Sequence, residues 1–158
     1  MTLPIDTNSY DFRYNKTLNE DVNLVGNEYG KYDLDMDNDD YVNVVGVNSL
    51  ANACIIAILT RYNELKDNPT YTGFGCRVHG LIKDNQNKLT KFKIETYLTE
   101  TLNAMRRVEK INYLKLKEIP EGHAVEFSIT SVNDEIVKQK VILWIILRNN
   151  MKKSLKKL

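Results

Sequence analysis

The residue types that hold metals or attack substrates are few in this sequence, and they are scattered. The two cysteines, Cys54 and Cys76, stand 22 positions apart, and the two histidines are His79 and His123. Zinc sites draw such ligands in closely spaced pairs, and neither a C-x-x-C nor an H-x-x-x-H pair occurs. Cys54 sits in an apolar run with Ala53, Ile55 and Ile56, where cysteine behaves as a small buried hydrophobe. His79 reads as a polar loop residue or a partly buried histidine. The stretch Asp33-Leu-Asp-Met-Asp-Asn-Asp-Asp40 alternates carboxylates with Leu34 and Met36. A calcium loop of that kind needs a glycine at its sixth position and a closing glutamate, and no glycine falls there. The segment reads instead as a solvated acidic lead-in suited to a basic partner. Glu64, set against one of Asp33 to Asp40, is the best general acid on offer for glycoside hydrolysis. That chemistry needs two carboxyls at a fixed separation, and a chain with 21 acidic residues contains many arbitrary pairs. Gly73-Phe-Gly75 lacks the Gly-Lys-Ser/Thr of a phosphate loop, and no G-x-S-x-G is present. We therefore expect no enzyme, with no catalytic, cofactor-binding or metal-binding residues.

The elements that carry these residues follow from patterning. With 158 residues the chain can bury a real core. Its net charge of +1 gives no global attraction to nucleic acid or membrane. The N-terminus lacks the charged and apolar regions of a signal peptide. The longest apolar run, Val141 to Leu147, is seven residues, too short to span a bilayer. An intracellular protein with reduced thiols is expected. Residues 1–40 read as an extended N-terminal arm with short strands, 41–148 as an α+β domain, and 149–158 as a basic tail. A helix is expected from about Gly46, capped by Asn48 or Ser49 and ending near Tyr62 to Leu65. Its apolar arc (Leu50, Cys54, Ala57, Ile58 and neighbours) predicts burial on most sides. Asp67-Asn-Pro69 breaks it, and a second helix is expected over Thr90 to Met105. The period then shortens to two: Ile111 with Tyr113, or Leu114 with Leu116, can line a strand face. Val125, Phe127 and Ile129 alternate with polar residues in a half-buried strand. Asn133-Asp134 makes a turn, and Val137 to Leu147 forms the closing strand. The class is α+β, two helices on one face of a three- to four-stranded antiparallel sheet. Such a sheet leaves strand edges available to another chain.

Arginines fall where the two helices are expected to end: Arg61 after the first, Arg106 and Arg107 after the second. There a cation complements the helix dipole, and arginine also recognises carboxylates at interfaces. Lys152, Lys153, Lys156 and Lys157 crowd the C-terminus as a solvated tail or electrostatic dock. A nucleic-acid module using these lysines would show salt-dependent binding, but the tail lacks interleaved aromatics.

The order of these pieces resembles a known family. Val45-Gly-Val-Asn-Ser-Leu-Ala-Asn-Ala-Cys-Ile-Ile-Ala-Ile-Leu-Thr60 is followed by Asn68-Pro69, Phe74-Gly-Cys76, Leu81-Ile82, Ile94-Glu95 and Arg107-Val-Glu-Lys-Ile111. Over residues 33–147 this succession resembles the small baseplate wedge protein of contractile-tailed phages, the family labelled "lysozyme-like". It is also similar to baseplate proteins of defective Bacillus prophages, which share the Thr60-Arg-Tyr62 element. The family's Glu-Pro-Arg triplet reads Met105-Arg106-Arg107 here, keeping only the arginine, and the N-terminal arm is longer than usual. The resemblance implies a structural role in the virion tail baseplate, six copies per tail, binding the wedge core and offering strands to the first ring of sheath subunits. The tail tube or hub is a further neighbour on this reading, and nucleic acid and membrane are not. The lysozyme label matches no acid–nucleophile pair in this sequence; a peptidoglycan-degrading tail hydrolase is the alternative. Candidate partner-binding residues are Arg106 and Arg107 for the wedge core. Val125, Phe127, Ile129, Val141, Leu143 and Ile145 are the candidates for sheath pairing.

Overall fold

The computed structural model describes residues 20–26, 31–81, 87–120 and 122–143. The protein is α+β, with two α-helices and several antiparallel strand pairs among the described residues. It divides into two compact units, Met1–Ala53 and Cys54–Leu158, the division falling inside the first helix.

In the first unit, six short strands form three two-stranded ladders. β1 (Glu20–Val22) pairs with β6 (Asn43–Val45), β2 (Leu24–Gly26) with β3 (Tyr32–Leu34), and β4 (Met36–Asp37) with β5 (Asp40–Tyr41). They radiate from a junction of three residues. Asn23 N–H donates to the Val42 carbonyl, Asp35 N–H to that of Asn23, and Val42 N–H to that of Asp35. The Asn23 side-chain amide also donates to the Asp35 carboxylate at 2.9 Å. The β4–β5 ladder turns through Asn38 (φ 50°) and Asp39 (φ 66°), the two positive φ values of a type I′ hairpin.

Helix α1 (Val47–Leu59) starts directly after Gly46, whose carbonyl accepts from Leu50 N–H. Asn48 and Ser49 therefore lie within its first turn rather than capping it. As the apolar arc predicts, Leu50, Ala51, Cys54, Ile55, Ala57 and Ile58 are all buried. Within the first unit the Asn52 side chain donates to the Val22 carbonyl at 2.8 Å, tying β1 to the helix. The helix ends at Leu59, earlier than expected. Beyond it the chain doubles back, and Cys76 N–H donates to the Thr60 carbonyl while Tyr62 N–H donates to that of Cys76.

In the second unit, helix α2 (Lys88–Asn103) is capped by Asn87, whose side-chain oxygen accepts from Thr90 N–H at 2.9 Å. Ile94, Leu98 and Leu102, four residues apart, have no accessible surface. This stripe packs against β7 (Val108–Ile119), the first strand of a three-stranded antiparallel meander with β8 (Gly122–Ser131) and β9 (Ile136–Leu143). Val125, Phe127 and Ile129 on β8 are fully buried, as are Val137 and Val141 on β9. A buried side chain of this size contributes about 1.5–3 kcal/mol, so this face is the main source of cohesion in the unit. The turn after β8 is built on Ser131, whose hydroxyl accepts from the N–H groups of Asn133 and Glu135, and Asp134 takes φ 63°.

The register of β7 resolves the two strand faces left open above. Bulges fall between Val108 and Lys110 and between Ile111 and Tyr113. Ile111 opposes Ile129 on the core face, and beyond the second bulge Leu114 and Leu116 return to that face opposite Phe127 and Val125. Asn112 occupies the bulge. Its amide donates to Ser128 Oγ at 3.2 Å, and its side-chain oxygen accepts from the Thr130 hydroxyl at 3.1 Å.

Candidate interaction surfaces

Among the described strands, β7 and β9 each bond one neighbour, so the sheet presents two edges. Unpaired edge groups are the physical basis of strand addition. β8 is the centre of the sheet, with its backbone engaged on both sides. This corrects the assignment of Val125, Phe127 and Ile129 to partner pairing: their side chains fill the core and their strand has no free edge. Val141 and Leu143 also point inward, 0% and 3% exposed, but they belong to edge strand β9, whose backbone borders only β8. Ile145, like the basic tail at 149–158, lies outside the described residues.

The arginines separate. Arg106 is exposed, whereas Arg107 is 6% exposed, and its carbonyl accepts from Val132 N–H. Helix α2 ends at Asn103 and α1 at Leu59. Arg61, Arg106 and Arg107 thus lie beyond the last helical turns, outside the range over which a cation complements the dipole. Arg107 instead lies close enough to Cys54 for its charge to matter. Burial pushes the Cys54 thiol up to about 12, against a smaller downward pull from Arg107. Burial also raises the Cys76 thiol, opposed by a hydrogen bond from Thr101. Both cysteines are buried, and neither is in a disulfide.

His79 and Glu64, both in the second unit, each make a local contact to the backbone. His79 is half-buried, with Nε2 2.9 Å from the Ile58 carbonyl. Glu64 is exposed, and its carboxylate accepts from Arg61 N–H at 3.2 Å. A dish of about 210 Å³ opens between the 61–75 loop and α2, lined by Tyr62, Gly73, Gly75, Arg77, Glu100 and Thr101. Its one carboxylate, Glu100, is ion-paired with Arg77 at 3.6 Å, and the Arg77 guanidinium stacks 4.5 Å from the centre of the Tyr62 ring. Two opposed carboxyls, which glycoside hydrolysis requires, are not found there. Among the described residues, no three histidine, cysteine or acidic side chains are grouped so as to hold a metal ion. No described helix is long and apolar enough to cross a membrane.

Two features escaped the sequence reading. One is the outward face of the sheet. β7 carries Lys110, Lys115 and Lys117 there, and β9 carries Lys138 and Lys140, all exposed. Between them β8 places Ala124, Glu126, Ser128 and Thr130, of which Ala124 and Ser128 are buried, Glu126 is exposed, and only Glu126 is acidic. The period-two spacing of these lysines was visible, but the facing of β7 depended on the bulge. The other is the hairpin formed within the acidic stretch, at whose β4–β5 tip Asp37 and Asp40 stand directly opposite each other with Asp39 between. No family model matches the chain, and no curated protein does.

Proposed function

We propose that the protein is a structural wedge component of a contractile-tail baseplate, joining an inner wedge core to the first ring of sheath subunits. The observation that supports this reading best is the pair of edges on a sheet otherwise locked by its core. Among the described strands β9 borders β8 alone, so an incoming strand can extend the sheet there without disturbing Phe127 or Val141. The order of the segments from Val45 to Ile111, read as a resemblance, suggests which machine would use such an edge. Exposed Arg106 suits a wedge-core contact better than Arg107, which is 6% exposed.

The test is a cryo-electron microscopy map of intact tails from the virus or prophage that encodes the chain. The reading requires a neighbouring subunit's strand hydrogen-bonded along β9 or β7. Tails that lack the chain, or that contain it with both edges facing solvent, would sink it.

A further inference from the structure

The lysine-lined face and the acidic hairpin tip are complementary in charge. Successive outward residues on one strand are about 6.8 Å apart, and β7 and β9 run about 9.6 Å apart across β8. The lysines therefore stand in two rows along a floor whose central column is short: Ala124, Ser128 and Thr130, with Glu126 the exception. Lys140 approaches Glu126 to 4.0 Å, and Lys115 opposes the same glutamate from the other strand. The face keeps a large positive excess.

The chain as a whole has 22 basic and 21 acidic residues, so this excess is balanced elsewhere, and Asp33–Asp40 carries five of the carboxylates. The β4–β5 tip is exposed from Met36 to Tyr41. Its Asp37–Asp40 pair places like charges directly opposite each other, an arrangement that destabilises a ladder. A cationic partner relieves that repulsion.

We propose that the lysine face of the β7–β8–β9 sheet docks the Asp37–Asp40 hairpin tip of a second copy of this chain. Such a contact joins unlike patches, so it propagates head to tail into a ring or an open chain of copies. It stands on the two patches alone and does not depend on the tail assignment. Nucleic acid is the less favoured occupant. The face carries lysines rather than base-reading arginines, and its one aromatic, Tyr113, has the Lys115 ammonium 5.2 Å from its ring centre, over the face a base would stack on.

Sedimentation velocity of the full chain, across protein concentration and ionic strength, tests this. The wild-type chain should associate at low salt and dissociate at high salt. A face variant, Lys115→Glu/Lys117→Glu/Lys138→Glu, leaves the Lys140–Glu126 pair intact. It should associate at least about tenfold more weakly, as should a tip variant, Asp37→Lys/Asp39→Lys/Asp40→Lys. Mixing the two variants should restore association, because each reversed patch then meets a complement. All these positions are exposed, and circular dichroism checks folding; Lys→Gln and Asp→Asn versions replace any variant that misfolds. A wild-type chain that is monomeric at every salt concentration overturns the proposal, as does a mixture of variants that stays monomeric. Binding of a fluorescent single-stranded oligonucleotide by a monomeric wild type, lost in the face variant, would assign the face to nucleic acid instead.

Discussion

Replacing Gly75 by alanine should be among the most damaging single-methyl changes in the protein. Gly75 has φ 105°, a region that side-chain-bearing residues reach at a cost of about 1–3 kcal/mol. A Cβ built there would sit against the Arg61 carbonyl oxygen, 2.7 Å from the Arg61 carbonyl carbon and 2.9 Å from the Thr60 oxygen. These are backbone atoms and cannot swing aside, so the doubled-back segments must separate. Separation strains the bonds that close the loop onto the end of α1: Cys76 to Thr60 at 2.8 Å, Tyr62 to Cys76 at 3.1 Å and Asn63 to Phe74 at 2.9 Å. With each worth about 1 kcal/mol net, the total reaches about 3–5 kcal/mol. Gly73 is the internal control. Its φ of 79° is also left-handed, but the nearest atom to an added Cβ is the Tyr62 hydroxyl at 3.9 Å, so Gly73→Ala should cost only about 1–2 kcal/mol. For a chain of this size these losses correspond to melting-temperature drops of roughly 10–15 °C and 3–6 °C. Urea titration and thermal melts of the two variants measure both. Equal destabilisation, within about 0.5 kcal/mol, would refute the claim that backbone contact rather than dihedral preference decides Gly75.

Three further outcomes are expected. His123 is 2% exposed, and its pKa is lowered by burial and secondarily by Lys91, with Glu118 opposing. The folded state thus favours the neutral imidazole: stability is complete above about pH 6.5 and falls as the pH drops below it, by at most about 1.4 kcal/mol per pH unit. Urea unfolding across that window should show the fall and His123→Gln should flatten it; an unchanged slope counts against the assignment. Neither cysteine should react with a disulfide reagent at neutral pH until denaturant is added, since both are buried and burial raises both thiols, that of Cys54 to about 12; rapid labelling of the native protein contradicts the buried placement. Phe127→Ala should cost about 3–5 kcal/mol, read by chemical denaturation, because Phe127 has no accessible surface at the centre of the sheet; a loss under about 1 kcal/mol would displace it from the core.

Where one face of an element is buried, its period is written in the residue types. Val125, Phe127 and Ile129 announced β8, and Ile94, Leu98 and Leu102 announced α2, because solvent and core select opposite chemistries at fixed spacing. The faces of β7 were ambiguous for a definite reason. The extra residue at Asn112 shifts the phase, so Ile111 belongs to the core by one alternation and Leu114 and Leu116 by the other. A polar asparagine among apolar neighbours was the trace of the bulge, satisfied by Ser128 and Thr130 on the facing strand. The end of α1 was misplaced because Thr60 to Leu65 retain helix-compatible residues. What stops the helix is tertiary: the Gly75–Cys76 segment bonds the Thr60 carbonyl. The edge strands could be inferred from strand number, but which strands lie at the edge depends on meander order, and that order puts Val125, Phe127 and Ile129 on the central strand.

The two units differ in what holds them together, and the difference bears on assembly. In the second unit apolar burial on α2 and β8 offsets the ordering of the chain. In the first, no described residue from Asp21 to Asn48 is buried, and Val25, Leu34, Met36, Tyr41 and Val45 are each about half exposed. Ordering backbone costs about 1–2 kcal/mol per residue, and two-stranded ladders without an apolar face are marginal by themselves. The Asn52–Val22 bond contributes about 1 kcal/mol and the bonds of the Asn23–Asp35–Val42 junction about 4 kcal/mol together, well short of that ordering cost. The ladders therefore lack an internal counterweight to their own ordering, and apolar cover from another molecule would supply one. A partner that covers Met36 and Tyr41 while neutralising Asp37 and Asp40 gives the largest return, since it removes water from apolar surface and relieves like-charge repulsion at the same hairpin. By this argument the core-backed sheet is the rigid side of any contact between copies, and the acidic hairpin is the side that gains order from it.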